Sequence, residues 1–120
     1  MEKYEEKVKK ELEDLTNTQR LLFGACCIDR ILHLIAGFDN FLQENHIKRI
    51  TKEPYLSLCT DWLDSIFLYV NINKDISSDE IEKTLNTLNK IIPDTEEFPD
   101  NVAIFTQNSM IGLSYLYEFI

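Results

Sequence analysis

Along most of this chain apolar residues return every three or four positions, with polar residues between them. The longest such run is residues 17–44, NTQRLLFGACCIDRILHLIAGFDNFLQE. Leu21, Ala25, Ile28, Leu32 and Ile35 step by four and three, Leu22 and Cys26 run alongside, and Ile31 and Leu34 widen the stripe. A stripe this wide predicts a helix packed on several sides rather than along one thin line. Thr16, with Gln19 three residues on, predicts a capping box at its start. Gly37 weakens the run, and Asn45 supplies a stop.

The other segments carry the same period. Over residues 2–15, Tyr4, Val8, Leu12 and Leu15 fall on one stripe. The pairs Glu5–Lys9 and Glu6–Lys10 each add about 0.2–0.5 kcal/mol to that helix. A helix this short is marginal alone, so it is expected to dock onto residues 17–44. His46 to Lys52 read as a polar link. Pro54 then suits the first turn of a helix carrying Tyr55, Leu58, Cys59, Trp62, Leu63, Ile66 and Val70, with Trp62 in the core or at its rim. After a turn at 71–76, Ser77 and Glu80 form a capping-box pattern and Ile76 and Ile81 a hydrophobic staple. That helix continues through Leu85, Leu88 and Ile92 until Pro93 stops it. A last helix, about 101–119, is largely apolar or aromatic, and the chain ends Tyr-Glu-Phe-Ile. Such an end either packs into the core or offers an apolar patch to another chain. The expectation is a single all-helical domain, 1–120: a compact, all-α bundle of about five helices around a long central helix at 17–44.

Composition agrees with a folded domain. The chain has 120 residues, 44% of them hydrophobic, enough for a real core. By the same reading no apolar run is long enough to span a membrane, and the charged N-terminus has no signal-peptide core, so a soluble cytoplasmic protein is expected. Three cysteines, two of them adjacent, make no disulfide framework and are expected to be reduced.

Charge adds a direction. The net charge is −9, and it is unevenly spread. Residues 1–50 hold eight Lys/Arg against nine Asp/Glu; residues 51–120 hold four against twelve, and residues 91–120 have no Lys or Arg. This balance repels nucleic-acid phosphates and anionic lipid, which argues against both as direct ligands, and suits a basic protein surface. The carboxylates expected to meet such a partner are Asp61 and Asp64, on the polar edge of the helix after Pro54, and Asp94, Glu96, Glu97 and Asp100, in the short acidic loop 93–100 that holds two prolines.

Catalytic patterns are missing. The three glycines are scattered and form no phosphate-binding loop. No Cys-x-x-Cys marks a zinc or redox site. A di-metal helical bundle wants Glu-x-x-His pairs, and neither His33 nor His46 has a Glu three residues before it. The 94–100 loop lacks the spacing and the glycine of a calcium-binding loop. Cys26, Cys27 and Cys59 are expected to pack as small hydrophobes. The expectation is a protein that is not an enzyme, with no catalytic, cofactor-binding or metal residues.

Phe23-Gly24-Ala25-Cys26-Cys27-Ile28-Asp29-Arg30 resembles a helical signature of the YjaG-like bacterial proteins, domain of unknown function 416. Ile92-Pro93-Asp94-Thr95-Glu96-Glu97-Phe98 is similar to that family's apolar-Pro-then-acidic-Phe segment. The resemblance spans roughly residues 12–118 and implies an all-helical bacterial protein, here a shortened member; it brings no established catalytic residues. Charge, absent catalytic motifs and this resemblance together lead to the expectation of a bacterial immunity protein. Its partner would be a cognate toxin, a basic nuclease such as the toxin domain of a contact-dependent growth inhibition system, engaged through the acidic surface. The alternative is a structural or regulatory helical subunit that self-associates, for example as a homodimer through its apolar C-terminal helix.

Overall fold

The helical periods and the cap residues predict where each element begins and ends, and a computed structural model describing residues 2–98 and 101–120 bears this out. Its helices are α1 (Glu2–Glu13), α2 (Asn17–Leu32), α3 (Ile35–Glu44), α4 (Tyr55–Ile72), α5 (Ser78–Ile91) and α6 (Val102–Phe119). Among the described residues there is no strand. α2 and α3 together make one 28-residue helix, Asn17–Glu44, broken only by a turn at His33–Leu34, so the bundle counts five helices. Both turn residues keep near-helical angles, φ −58°, ψ −22° and φ −66°, ψ −20°. The hydrogen bonds there shorten to three-residue spacing: Leu34 N–H to Ile31 O, Ala36 N–H to His33 O and Gly37 N–H to Leu34 O, at 3.0, 3.1 and 3.1 Å. This is a local 3₁₀ tightening, and it falls before Gly37 rather than at it.

The caps form as their residue types demand. Gln19 N–H donates to Thr16 Oγ1 at 3.1 Å and Thr16 N–H to Gln19 Oε1 at 2.9 Å, the complete reciprocal box. At α5 only Ser77's arm of the box is formed, from Glu80 N–H at 3.1 Å. After α3, His46 takes a left-handed conformation, φ 55°. Ile47 N–H then reaches back to Leu42 O at 2.8 Å and His46 N–H to Gln43 O at 3.2 Å. These are the two bonds of a Schellman ending, with a histidine where glycine is usual.

The core is what the stripes predict. Leu21, Ala25, Ile28 and Leu32 of α2, Ile35, Phe38 and Leu42 of α3, and Tyr55, Cys59, Leu63 and Ile66 of α4 are buried with Leu88 and Ile91 of α5 and Ala103, Met110, Leu113 and Tyr117 of α6. α6 packs against α2, α3, α4 and α5, so it shares the central position with the 17–44 helix. α2 and α6 approach closely, running antiparallel. A Cβ on Gly24 would meet Leu116, and one on Gly112 would meet Ile28. Trp62 is half-buried against the core, and its carbonyl accepts the Tyr117 hydroxyl at 2.7 Å.

Three expectations change. First, α1 is tied down at its C-terminal end alone: the Arg20 guanidinium donates to Leu12 O at 2.9 Å and Glu13 O at 2.6 Å, where a cation meets the negative end of the helix. Tyr4 stays 71% exposed, and Val8 and Leu12 line an open groove of about 510 Å³ instead of disappearing under α2. Second, Cys26 and Cys27 are exposed and only Cys59 is a core thiol; the buried stripe of α2 is narrower than its sequence suggests. Third, residues 17–44 are long and apolar enough, by length and composition, to cross a membrane. The core helix of a globular bundle passes the same test, and here the most apolar side of the helix is packed against α4 and α6.

Candidate protein-binding surface

The acidic loop is built by three local devices. Pro93 ends α5 and lends its carbonyl to Gln107 Nε2 at 3.2 Å. Asp94 Oδ1 then accepts Glu96 N–H at 2.9 Å, and Asp94 O accepts Glu97 N–H at 3.1 Å, closing an Asx turn. Phe98 turns inward and meets Phe38 edge-on at 5.1 Å and Phe41 at 6.0 Å. Aromatic edge contacts of this kind contribute about 0.5–1.5 kcal/mol beyond burial. The loop is therefore nailed to α3 by its last aromatic, with Asp94, Glu96 and Glu97 left exposed on the turn. Asp100 lies outside the described residues.

Asp61 and Asp64 are exposed on α4, three residues apart and so on one flank of the helix. Asp61 lines a groove of about 470 Å³ between α3 and α4, together with Asp39 and Arg49. Asp94 and Glu97 line a different groove of about 360 Å³, opposite Ile47, Lys48 and Ile50. The structure thus brings the three loop carboxylates together and sets Asp61 and Asp64 apart from them on α4.

A buried carboxylate, Asp39, organises the region between these groups. Asp39 Oδ1 and Oδ2 accept the N–H groups of Tyr55 and Leu56, each at 2.9 Å. The Tyr55 hydroxyl in turn accepts Ile50 N–H at 3.0 Å and fixes the link before α4. That link carries Lys48, Arg49 and Lys52, a local basic cluster on an acidic chain. Nothing in the spacing of Asp39 on α3 announces its role; the one available signal is a carboxylate within an otherwise apolar stripe.

Two titratable groups of the core, Cys59 and Tyr117, hold their protons more tightly than usual. Burial, with the Asp39 charge adding to it, pushes the Cys59 thiol up to about 12. Burial also pushes the Tyr117 hydroxyl up to about 12; a hydrogen bond to Ser65 opposes that shift and the Glu80 charge adds to it. A thiol held protonated is a poor nucleophile, so Cys59 is a packing residue. Among the described residues, no three His, Cys, Asp or Glu gather as a metal site. The α6 surface is apolar beyond its core face: Ile104, Phe105, Tyr115 and Phe119 are 42–65% exposed.

No family model matches the chain, and no curated protein or solved structure is significantly similar to it.

Proposed function

We propose that this protein is a bacterial immunity protein that binds and neutralises a cognate toxin through its acidic surface. The observation that carries the reading is the anchored acidic turn: Asp94, Glu96 and Glu97 stand exposed on a loop held by Phe98. A rigidly supported cluster of charge loses little entropy on binding and suits a basic surface. A nuclease must attract phosphates, so its active-site groove is such a surface. Asp61 and Asp64 form a second contact point on α4, and Asp100 follows the turn in sequence. On this reading the toxin is a basic nuclease domain of the kind delivered by contact-dependent growth inhibition, and the chain acts in the cytoplasm without catalysis or cofactor. The bacterial family resemblance of residues 23–30 and 92–98 supports the same direction. The test is co-expression with a candidate basic nuclease toxin: growth is restored by the wild-type chain and not by a variant with lysines at 94, 96, 97 and 100.

A second reading, a self-associating helical subunit, is favoured by the exposed aromatic face of α6. Light scattering of the purified chain and of a Phe105→Ser/Tyr115→Ser variant tests whether that face holds two copies together.

A further inference from the structure

The link between α3 and α4 and the acidic turn after α5 face each other across one groove. Lys48, with Ile47 and Ile50, stands on one side; Asp94, Glu97 and Phe98 stand on the other. The link also bears Arg49 and Lys52, which line the adjoining groove with Lys48. Ile47 and Ile50 are 42% and 66% exposed and add apolar area to the basic side of the groove. The polar contacts that define these segments run to backbone: Arg49 Nη2 to Lys52 O, and Glu96 N–H to Asp94 Oδ1. Arg49 is half-buried, so Lys48 and Lys52 carry the exposed positive charge of the link, and Asp94, Glu96 and Glu97 the exposed negative charge of the turn.

We infer that this surface pairs with a second copy of the chain about a two-fold axis running along the groove. Such an axis lays the acidic turn of each copy on the basic link of the other, twice, and covers the exposed Ile47 and Ile50 of each link with the other copy's turn. Adjacent patches of opposite sign are self-complementary in this way, and a two-fold interface uses the same patch from both sides. On a chain of net charge −9 this is where the cations Lys48, Arg49 and Lys52 sit together, so it is where two copies can meet without like-charge repulsion. The aromatic face of α6 carries no such charge pattern to define its occupant. The inference uses the same acidic turn as the toxin reading, so a second copy and a toxin would occupy this surface in turn; it is tested on the purified chain alone, without a toxin, so its failure leaves the toxin reading standing.

The experiment is light scattering and sedimentation of the full chain and two variants, Lys48→Glu/Lys52→Glu and Glu96→Lys/Glu97→Lys. All four positions are exposed, and Asp94 keeps its turn bond. The wild type is expected to dimerise at low salt and to dissociate in about 1 M salt, where screening acts within about 3 Å. Each variant alone, with one rim reversed so that both rims carry the same net sign, is expected to be a folded monomer. Their equimolar mixture is expected to recover the dimer mass, because each rim then meets its opposite. A wild-type monomer at low salt, a dimer that survives in both variants, or folded variants that fail to associate when mixed would each overturn the inference.

Discussion

The carboxylate of Asp39 lies 2.9 Å from the backbone N–H of Tyr55 and caps, from sixteen residues upstream, a helix that has no cap of its own. Pro54 stands at the N-cap of α4 and offers no side-chain acceptor. The first-turn N–H groups would otherwise be left unpaired beside the core. One carboxylate satisfies two of them and places negative charge at the positive end of the helix. Hydrogen bonds to a charged group contribute about 1.5–3 kcal/mol. Replacing Asp39 with Ala is therefore expected to cost about 2–4 kcal/mol in urea unfolding, and Asp39→Asn less, because one acceptor remains. An Ala variant as stable as wild type would contradict this account of how α4 starts.

Thiol chemistry distinguishes the three cysteines. Cys26 and Cys27 are exposed and Cys59 is buried with its proton held. A thiol reagent at mildly alkaline pH is expected to modify two cysteines in the native state and the third after unfolding. The same burial sets a pH dependence. Cys59 and Tyr117 bind their protons more tightly folded than unfolded, with values raised from 9.0 and 10.0 to about 12. The folded state then holds more protons, so stability is full below about 9 and falls as pH climbs from there towards 12. Cys59→Ala is expected to flatten the first part of that fall, measured by urea midpoints across the range.

Two glycines set the α2–α6 spacing and should respond differently to alanine. A Cβ on Gly24 meets only the end of half-buried Leu116, which has room to turn away. A Cβ on Gly112 meets Ile28, which the core encloses. Alanine gains about 1 kcal/mol of helix propensity at either site, while overpacking costs about 1–3 kcal/mol. Gly24→Ala is expected to be near neutral and Gly112→Ala to destabilise by about 1–2 kcal/mol. The opposite order in chemical denaturation would show that the contact relaxes elsewhere.

Thr106 is fully enclosed on α6, and its hydroxyl has no hydrogen-bond partner among the described residues. Val has nearly the same shape without the polar group. Thr106→Val is expected to raise stability by about 1 kcal/mol, since an unmade buried hydrogen bond costs about 1–3 kcal/mol. A loss of stability in the same measurement would mean that the hydroxyl has a partner after all.

Local signals in the sequence were the ones that could be read. Thr16 with Gln19, Ser77 with Glu80, and Pro93 each act within four residues of themselves, so spacing alone revealed the starts of α2 and α5 and the end of α5. The core stripes were legible for the same reason, from Leu21 to Leu32 and from Tyr55 to Ile66. What acts across the chain was not. Asp39 meets Tyr55 through space. The interruption at His33–Leu34 leaves the apolar period intact and so leaves no trace in it. Cys26 and Cys27 extend an apolar run, yet α4 and α6 cover only the side that holds Ala25 and Ile28. The stripe of α1 promised docking, but Arg20 holds that helix by its end rather than its face. For the acidic surface, sequence identified the carboxylates, while only the fold could show that Phe98 anchors the turn and that Asp61 opens onto another groove.

The most direct test of the central claim is the affinity of the purified chain for a candidate basic nuclease toxin, measured across a range of salt concentrations. The immunity reading predicts a one-to-one complex that weakens as salt rises. With lysines at 94, 96 and 97 it should weaken at least about tenfold, roughly 1.4 kcal/mol, and protection of growing cells should be lost in parallel. No complex with the wild-type chain, or an affinity indifferent to both salt and the reversed charges, would contradict it.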